Sequence, residues 1–147
     1  MHIQSLINEL RKTNVDPQTI WKPTDQDNNQ FILDHIPTLI KYLRDSHKLP
    51  VIVFSLSKGF CEKLLQSLIS SEIELPKPGS SVDWPSLRFV RTQMLLDGLR
   101  NGIGVHHSAI KKEYRLEVEK LFRLGMIKVV IATGTLAMVR WEKQLQV

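Results

Sequence analysis

Apolar residues recur along this chain with two different periods. Ile3, Leu6, Ile7 and Leu10 fall at i, i+3, i+4 and i+7, one face of a helix ending near Thr13. Asn14 to Asn29 is polar, contains Pro17 and Pro23, and reads as a loop carrying Trp21. Ile32, Ile36, Leu39, Ile40 and Leu43 share a second helical face with Pro37 inside it. Either that helix kinks at Pro37, or a new helix starts with Pro37 in its first turn, where the missing N–H costs nothing. Val51-Ile52-Val53-Phe54 is a continuous β-branched and apolar run, the pattern of a strand covered on both faces. Ser55-Leu56-Ser57 makes the turn, with Ser57 as N-cap, and Phe60, Leu64, Leu65 and Leu68 continue as an amphipathic helix to about Ser71.

Pro76, Pro78, Gly79 and Pro85 mark Glu72 to Pro85 as a surface loop or insertion, and Ser86 to Arg100 is weakly helical. Gly102 to His107 fits a second short strand. Ser108 to Lys112 opens a helix with Tyr114, Val118, Leu121 and Phe122 on one face, Glu119 and Arg123 spaced as an i,i+4 pair, and Gly125 as its C-cap. Ile127 to Ala132 is a third strand, followed by the polar turn Thr133-Gly134-Thr135. Strands alternating with helices predict an α/β fold built on a parallel sheet.

The composition is that of an ordinary globular domain: 147 residues, 42% hydrophobic, 24% charged. Twenty Lys and Arg against fifteen Asp and Glu leave a formal charge of +5, which favours an anionic partner slightly. Cys61 is the only cysteine, which excludes an internal disulfide and a thiolate zinc cluster and suggests a reducing compartment, so a cytoplasmic location is expected. Met1 to Ser5 does not open a signal peptide, and no apolar run approaches the roughly 20 residues needed to span a bilayer, so no membrane partner is expected.

Ligands of open parallel sheets bind at the carboxyl ends of the strands. Ser55 to Gly59, His106-His107-Ser108 and Thr133-Gly134-Thr135 occupy such ends. Their small hydroxyls, helix-start N–H groups and imidazoles suit phosphate oxygens, and Lys58 adds charge. The same residues are ordinary turn and capping chemistry, the commoner reading of a Ser/Thr-rich strand end. His106 and His107 point to opposite sides of a strand, so they do not readily share a metal, and no HExxH or cysteine cluster offers another metal site. One of the pair packs or caps and the other faces the cleft. Cys61 sits where a helix dipole lowers a thiol pKa, but a small packing residue is the simpler reading. No G-x-x-x-x-G-K-[ST] loop is present, and His107 takes the place of the third glycine of a dinucleotide fingerprint after Gly102-Ile103-Gly104. The chain therefore carries no self-sufficient nucleotide site, and no cofactor is expected for it alone.

Three segments together resemble one family. Pro50 to Ser57 followed by a helix looks like the fourth helicase motif; Gly102 to Ala109 resembles the GxGxHHxG segment of superkiller-like DExH helicases, with Ala109 in the place of the usual Gly; Lys128 to Met138 is similar to their fifth motif. The resemblance covers about residues 30 to 138 and is nearest the antiviral DEAD/H-box subgroup. It implies a partial RecA-like lobe, the second of two, with domain limits at 1–30 (N-terminal helix and connector), 31–138 (lobe) and 139–147 (divergent tail). It further implies that Ser55, Lys58, His107, Thr133 and Thr135 meet or flank a nucleic-acid backbone, and that Gly134 and Thr135 couple this grip to a second lobe. The family's sixth motif with its arginine finger, its phosphate loop and its DExH box have no counterpart here, so a truncated chain is expected, a fragment of an ATP-dependent RNA helicase that does not hydrolyse ATP alone. ATP and magnesium belong to the complete enzyme, and the implied partners are single- or double-stranded RNA and the first lobe. A non-catalytic RNA- or protein-interaction module is the alternative, and a chain that does not fold stably is a third.

Overall fold

The computed structural model describes residues 26–133. The predicted helix at Ile3–Thr13, most of the following connector, and everything from Gly134 onward lie outside the described residues. The described chain runs α1 (Gln26–Asp45), β1 (Val51–Phe54), α2 (Lys58–Ser70), α3 (Gln93–Arg100), β2 (Ile103–His106), α4 (Lys112–Arg123) and β3 (Val129–Ala132). Two short 3-10 turns, Gly79–Ser81 and Trp84–Leu87, stiffen the loop between α2 and α3. The fold is α/β, with flanking helices on a parallel sheet, the architecture of a partial RecA-like fold.

The sheet order is β1-β3-β2, all parallel, with β3 central. The chain moves one way across the sheet from β1 to β2 and back from β2 to β3. Right-handed crossovers therefore put α2 and α3 on one face and α4 on the other. All four residues of β3 are fully buried, as are Ile103 and Val105 of β2, which explains the unbroken apolar character of these strands. From α2 come Leu64, Leu65 and Leu68; from α4, Tyr114, Val118 and Leu121 complete the core.

Two glycines set how closely the helices approach. A methyl group on Gly104 would stand 2.7 Å from Val118 Cγ1 on α4, and one on Gly98 would stand 2.7 Å from Leu65 Cδ1 on α2. Gly102 holds φ +89° and lies so close to the Pro76 carbonyl that a Cβ would be 2.1 Å from its oxygen. The Gly102-Ile103-Gly104 pair thus serves backbone turning and helix packing.

Helix α1 begins at Gln26, four residues earlier than the polar pattern of the connector indicates, and runs unbroken through Pro37. Pro37 has no N–H to give the Leu33 carbonyl, and the Ser67 hydroxyl of α2 donates to that carbonyl instead. The orphaned acceptor becomes a tie between α1 and α2, which resolves the choice between a kinked helix and a new one. Helix α4 ends as its Gly125 foretells. Gly125 adopts φ +74°, its N–H reaches Phe122 O at 3.1 Å, and Met126 N–H reaches Leu121 O at 2.8 Å.

Candidate functional site

The register of the sheet places Phe54, Ala132 and His106 at one level. The residues that follow, Ser55, Thr133 and His107, therefore leave the sheet side by side at its carboxyl end, with Thr133 in the middle. The ladder continues one step beyond the strands: Ser55 N–H donates to Ala132 O at 2.9 Å, and Thr133 N–H donates to His106 O at 3.1 Å. Neighbouring strands lie about 4.8 Å apart, so the row spans about 10 Å from Ser55 to His107. Gly134 and Thr135, the remaining sequence-stated positions, lie outside the described residues.

Ser55 is occupied by the turn. Its hydroxyl donates to Ser57 O at 2.9 Å and accepts from Ser57 N–H at 3.2 Å. Ser57 caps α2 by accepting Phe60 N–H at 3.1 Å, and its carbonyl takes Cys61 N–H at 3.3 Å. Of the four N–H groups at a helix start that lack an i−4 partner, those of Ser57 and Phe60 are thus taken by the Ser55 and Ser57 hydroxyls, and Cys61 N–H makes the first intrahelical bond. The N–H groups of Lys58 and Gly59 point outward from the helix start, and no atom stands within 4 Å of where a Gly59 Cβ would be. The anion-binding capacity at β1 therefore resides in the Lys58 and Gly59 amides and the exposed Lys58 ammonium, with the Ser55 hydroxyl shaping the loop. Cys61, fully buried, has its thiol pKa pushed up by burial, which outweighs the Ser55 hydrogen bond. It is a packing residue.

The two histidines divide as adjacent strand positions must. His106 turns to the α4 face, where its Nε2 meets Glu119 Oε2 at 3.0 Å, both side chains buried. Glu119, spaced in sequence as a surface partner of Arg123, is thus drawn into the interior. His107 is only 4% exposed, and its Nδ1 accepts the Ala109 N–H at 3.2 Å. An accepting Nδ1 carries no proton, so the neutral ring holds its hydrogen on Nε2. That buried Nε2 has no hydrogen-bond partner among the described residues. Burial lowers the His107 pKa; Glu62 opposes this, while Lys58, His106 and Arg115 add to it. His107 is therefore a neutral donor whose bond is unmade. Arg115, on α4, repeats the pattern: its Nε is buried and unpartnered among the described residues. Sequence reasoning passed over Arg115, because a cation on a charged helix looks like a solvated face; only its burial sets it apart. Among the described residues, no group of three or more His, Cys, Asp or Glu could hold a metal ion, and no helix is long and apolar enough to cross a membrane.

A parallel α/β sheet of partial RecA-like type, with amides, hydroxyls and imidazoles collected at its strand tips, defines a fold class rather than one protein. No family model matches the chain. The chain is similar to the superkiller complex protein 2 of Mus musculus, 34% identical over 112 residues, and to the antiviral helicase SKI2 of Saccharomyces cerevisiae, 31% identical over 118 residues. Each match covers 69% of this chain and 9% of the relative. It is also 27% identical over 111 residues to the exosome RNA helicase MTR4 of Mus musculus, across 68% of this chain and 11% of that protein. Over the matched stretch the chain belongs with the superkiller-like DExH RNA helicases and corresponds to part of such an enzyme. It spans about a tenth of the length of these relatives.

Proposed function

We propose that the chain contributes the nucleic-acid grip of an ATP-dependent RNA helicase, holding the sugar–phosphate backbone of RNA across its strand tips. The observation that carries this reading is the open start of α2, where the exposed Lys58 and the Lys58 and Gly59 amides stand in one row with Thr133 and His107. The Lys58 and Gly59 amides face an anion with the helix dipole behind them, and Lys58 supplies charge. Ser55 lies beside the phosphate and holds the loop, while Thr133 and Thr135 offer hydroxyls.

By its resemblance to the fifth motif, the Thr133-Gly134-Thr135 turn would also relay the state of a nucleotide cleft, with Gly134 and Thr135 at the contact with a first RecA-like lobe. The lobe would extend over residues 31–138, with 1–30 and 139–147 as flanking segments. ATP, magnesium and the phosphate-loop residues would come from outside this chain, because no phosphate loop occurs in its 147 residues. The chain alone would then not hydrolyse ATP.

A titration of labelled single-stranded RNA at two salt concentrations tests the reading. Binding should weaken with salt, since phosphate contacts release counterions, and Lys58→Gln and Thr133→Ala should each weaken it further. Salt-independent binding to a protein partner with no RNA affinity would replace this reading by a non-catalytic interaction module.

A further inference from the structure

Phe89 is 59% exposed, and it stands in the segment Arg88-Phe89-Val90-Arg91, which is anchored from beneath by buried Leu87 and Val90. The Arg88 guanidinium lies 4.8 Å from the centre of the Phe89 ring, and its Nη1 donates to Pro85 O at 2.9 Å, so the cation is held in place over the ring. Arg44 and Arg100 are paired with Asp45 and Asp97, whereas Arg88 and Arg91 enter no ion pair among the described residues. Asp97 is also engaged by Gln93 Nε2 at 2.9 Å. Two unneutralised arginines therefore flank one exposed aromatic ring.

The topology bounds the distance of this segment from the strand-tip end of the sheet. Helix α3 joins β2 through Asn101 and Gly102 alone and packs along it, so it runs antiparallel to the strand and its first residue, Gln93, lies toward the tip of β2. Tyr114 OH fixes this alignment by reaching both Val105 N–H, at 3.2 Å, and Leu95 O, at 3.4 Å. Four residues of chain reach at most about 14 Å, which bounds the distance from Phe89 to Gln93. The arginine-flanked ring thus lies within about 14 Å of the start of α3, the end of that helix nearer the tip of β2.

We propose that Phe89 is a stacking platform for an unpaired base of a single-stranded nucleic acid, taking the base on the ring face opposite Arg88, with Arg91 meeting its phosphates. This rests on the strand-tip reading and adds to it: the tips hold backbone and read no base, while Phe89 takes a base face. A ring serves here because every base presents a π-face, and stacking tolerates any sequence.

The test uses the full chain and two labelled probes of about a dozen nucleotides, within the usual span of single-strand sites: an oligouridine and an abasic ribose–phosphate oligomer of equal length. Fluorescence anisotropy reads the affinity of wild type, Phe89→Leu, Phe89→Tyr, Arg91→Gln and Lys58→Gln, with thermal unfolding confirming that each variant is folded. Phe89→Leu should weaken oligouridine binding by between about fivefold and about a hundredfold and leave abasic binding unchanged. Phe89→Tyr should keep wild-type affinity, and Arg91→Gln should weaken binding to both probes. If Phe89→Leu binds oligouridine as wild type does while Lys58→Gln weakens it, the platform is overturned and the strand-tip grip stands. Equal losses on both probes likewise overturn stacking. A wild-type chain that binds neither probe removes both readings.

Discussion

The Tyr114 hydroxyl is the sharpest place to test the physical account of this fold. Among the described residues, strand β2 has β3 on one side only, so the amide groups on its other side need partners from elsewhere. Val105 N–H finds one in Tyr114 OH, at 3.2 Å, and the hydroxyl in turn donates to Leu95 O at 3.4 Å. The tyrosine is fully buried, and burial pushes its pKa upward, so it is a neutral donor and acceptor at neutral pH. Tyr114→Phe keeps the ring and the packing and removes one oxygen. The long contact to Leu95 contributes little, because a helix carbonyl already has its own N–H partner. The cost falls on Val105 N–H, left buried and unpaired, at about 1–3 kcal/mol. The 147 residues imply an unfolding entropy of about 0.31 kcal/mol/K, so each kcal/mol lowers Tm by about 3 °C, and the variant should melt about 3–10 °C below wild type. Urea unfolding followed by circular dichroism should show a lower midpoint at unchanged slope, the mark of lost stability rather than altered compactness. A Tyr114→Phe chain as stable as wild type would mean that the Val105 amide has another partner and that the hydroxyl does not brace the β2 edge.

Other outcomes follow from single contacts. Ser67→Ala should cost about 1–3 kcal/mol in urea unfolding, because the Leu33 carbonyl freed by Pro37 then has no donor. Gly102→Ala should destabilise more than Gly104→Ala, whose added methyl meets the Val118 and Ile127 side chains rather than backbone; at Gly102 both φ +89° and the Pro76 backbone resist the methyl, and parallel thermal melts give the ranking. Ser57→Ala should remove about 1 kcal/mol by uncapping α2, while Ser57→Asn should restore most of it. His107 has a lowered pKa when folded, so below its ordinary value of 6.5 the unfolded chain takes the proton first and stability falls with acidification. His107→Asn, whose Oδ1 can still accept Ala109 N–H, should lose less stability between pH 7.5 and pH 5.5 than wild type does; an identical loss would place the titration elsewhere.

The elements were legible where one period ran uninterrupted. Val51–Phe54 and Val129–Ala132 are apolar runs because both faces are covered, and Ser57 and Gly125 mark helix ends through local backbone chemistry that tertiary context does not override. The N-terminal limit of α1 was not legible. Its first turn is polar, and polar residues in a solvated turn look like loop. Strand order was equally hidden, since parallel strands joined by long crossovers leave no local trace of which becomes central. The site was half legible. Residue types at strand ends pointed to Ser55, Lys58, His107 and Thr133, but nothing local told that the Ser55 hydroxyl is spent inside its own turn while the His107 Nε2 is left open. Those are properties of burial, which the sequence encodes only through the whole packed core.

The same kind of buried polar contact explains how the end of β2 is held in place. Apolar packing fixes helices against the sheet to native density but resists sliding weakly, whereas a directed hydrogen bond fixes rotation and height. Helix α4 has three such bonds: Tyr114 to the β2 edge, Glu119 to His106 at the last residue of β2, and Glu117 to the Asp83 N–H of the preceding loop at 2.9 Å. They fall along one helix, at its first, second and third turns. Two of them act on β2 within two residues of His107. The segment that carries His107 is thus tied to the scaffold through the last two residues of β2.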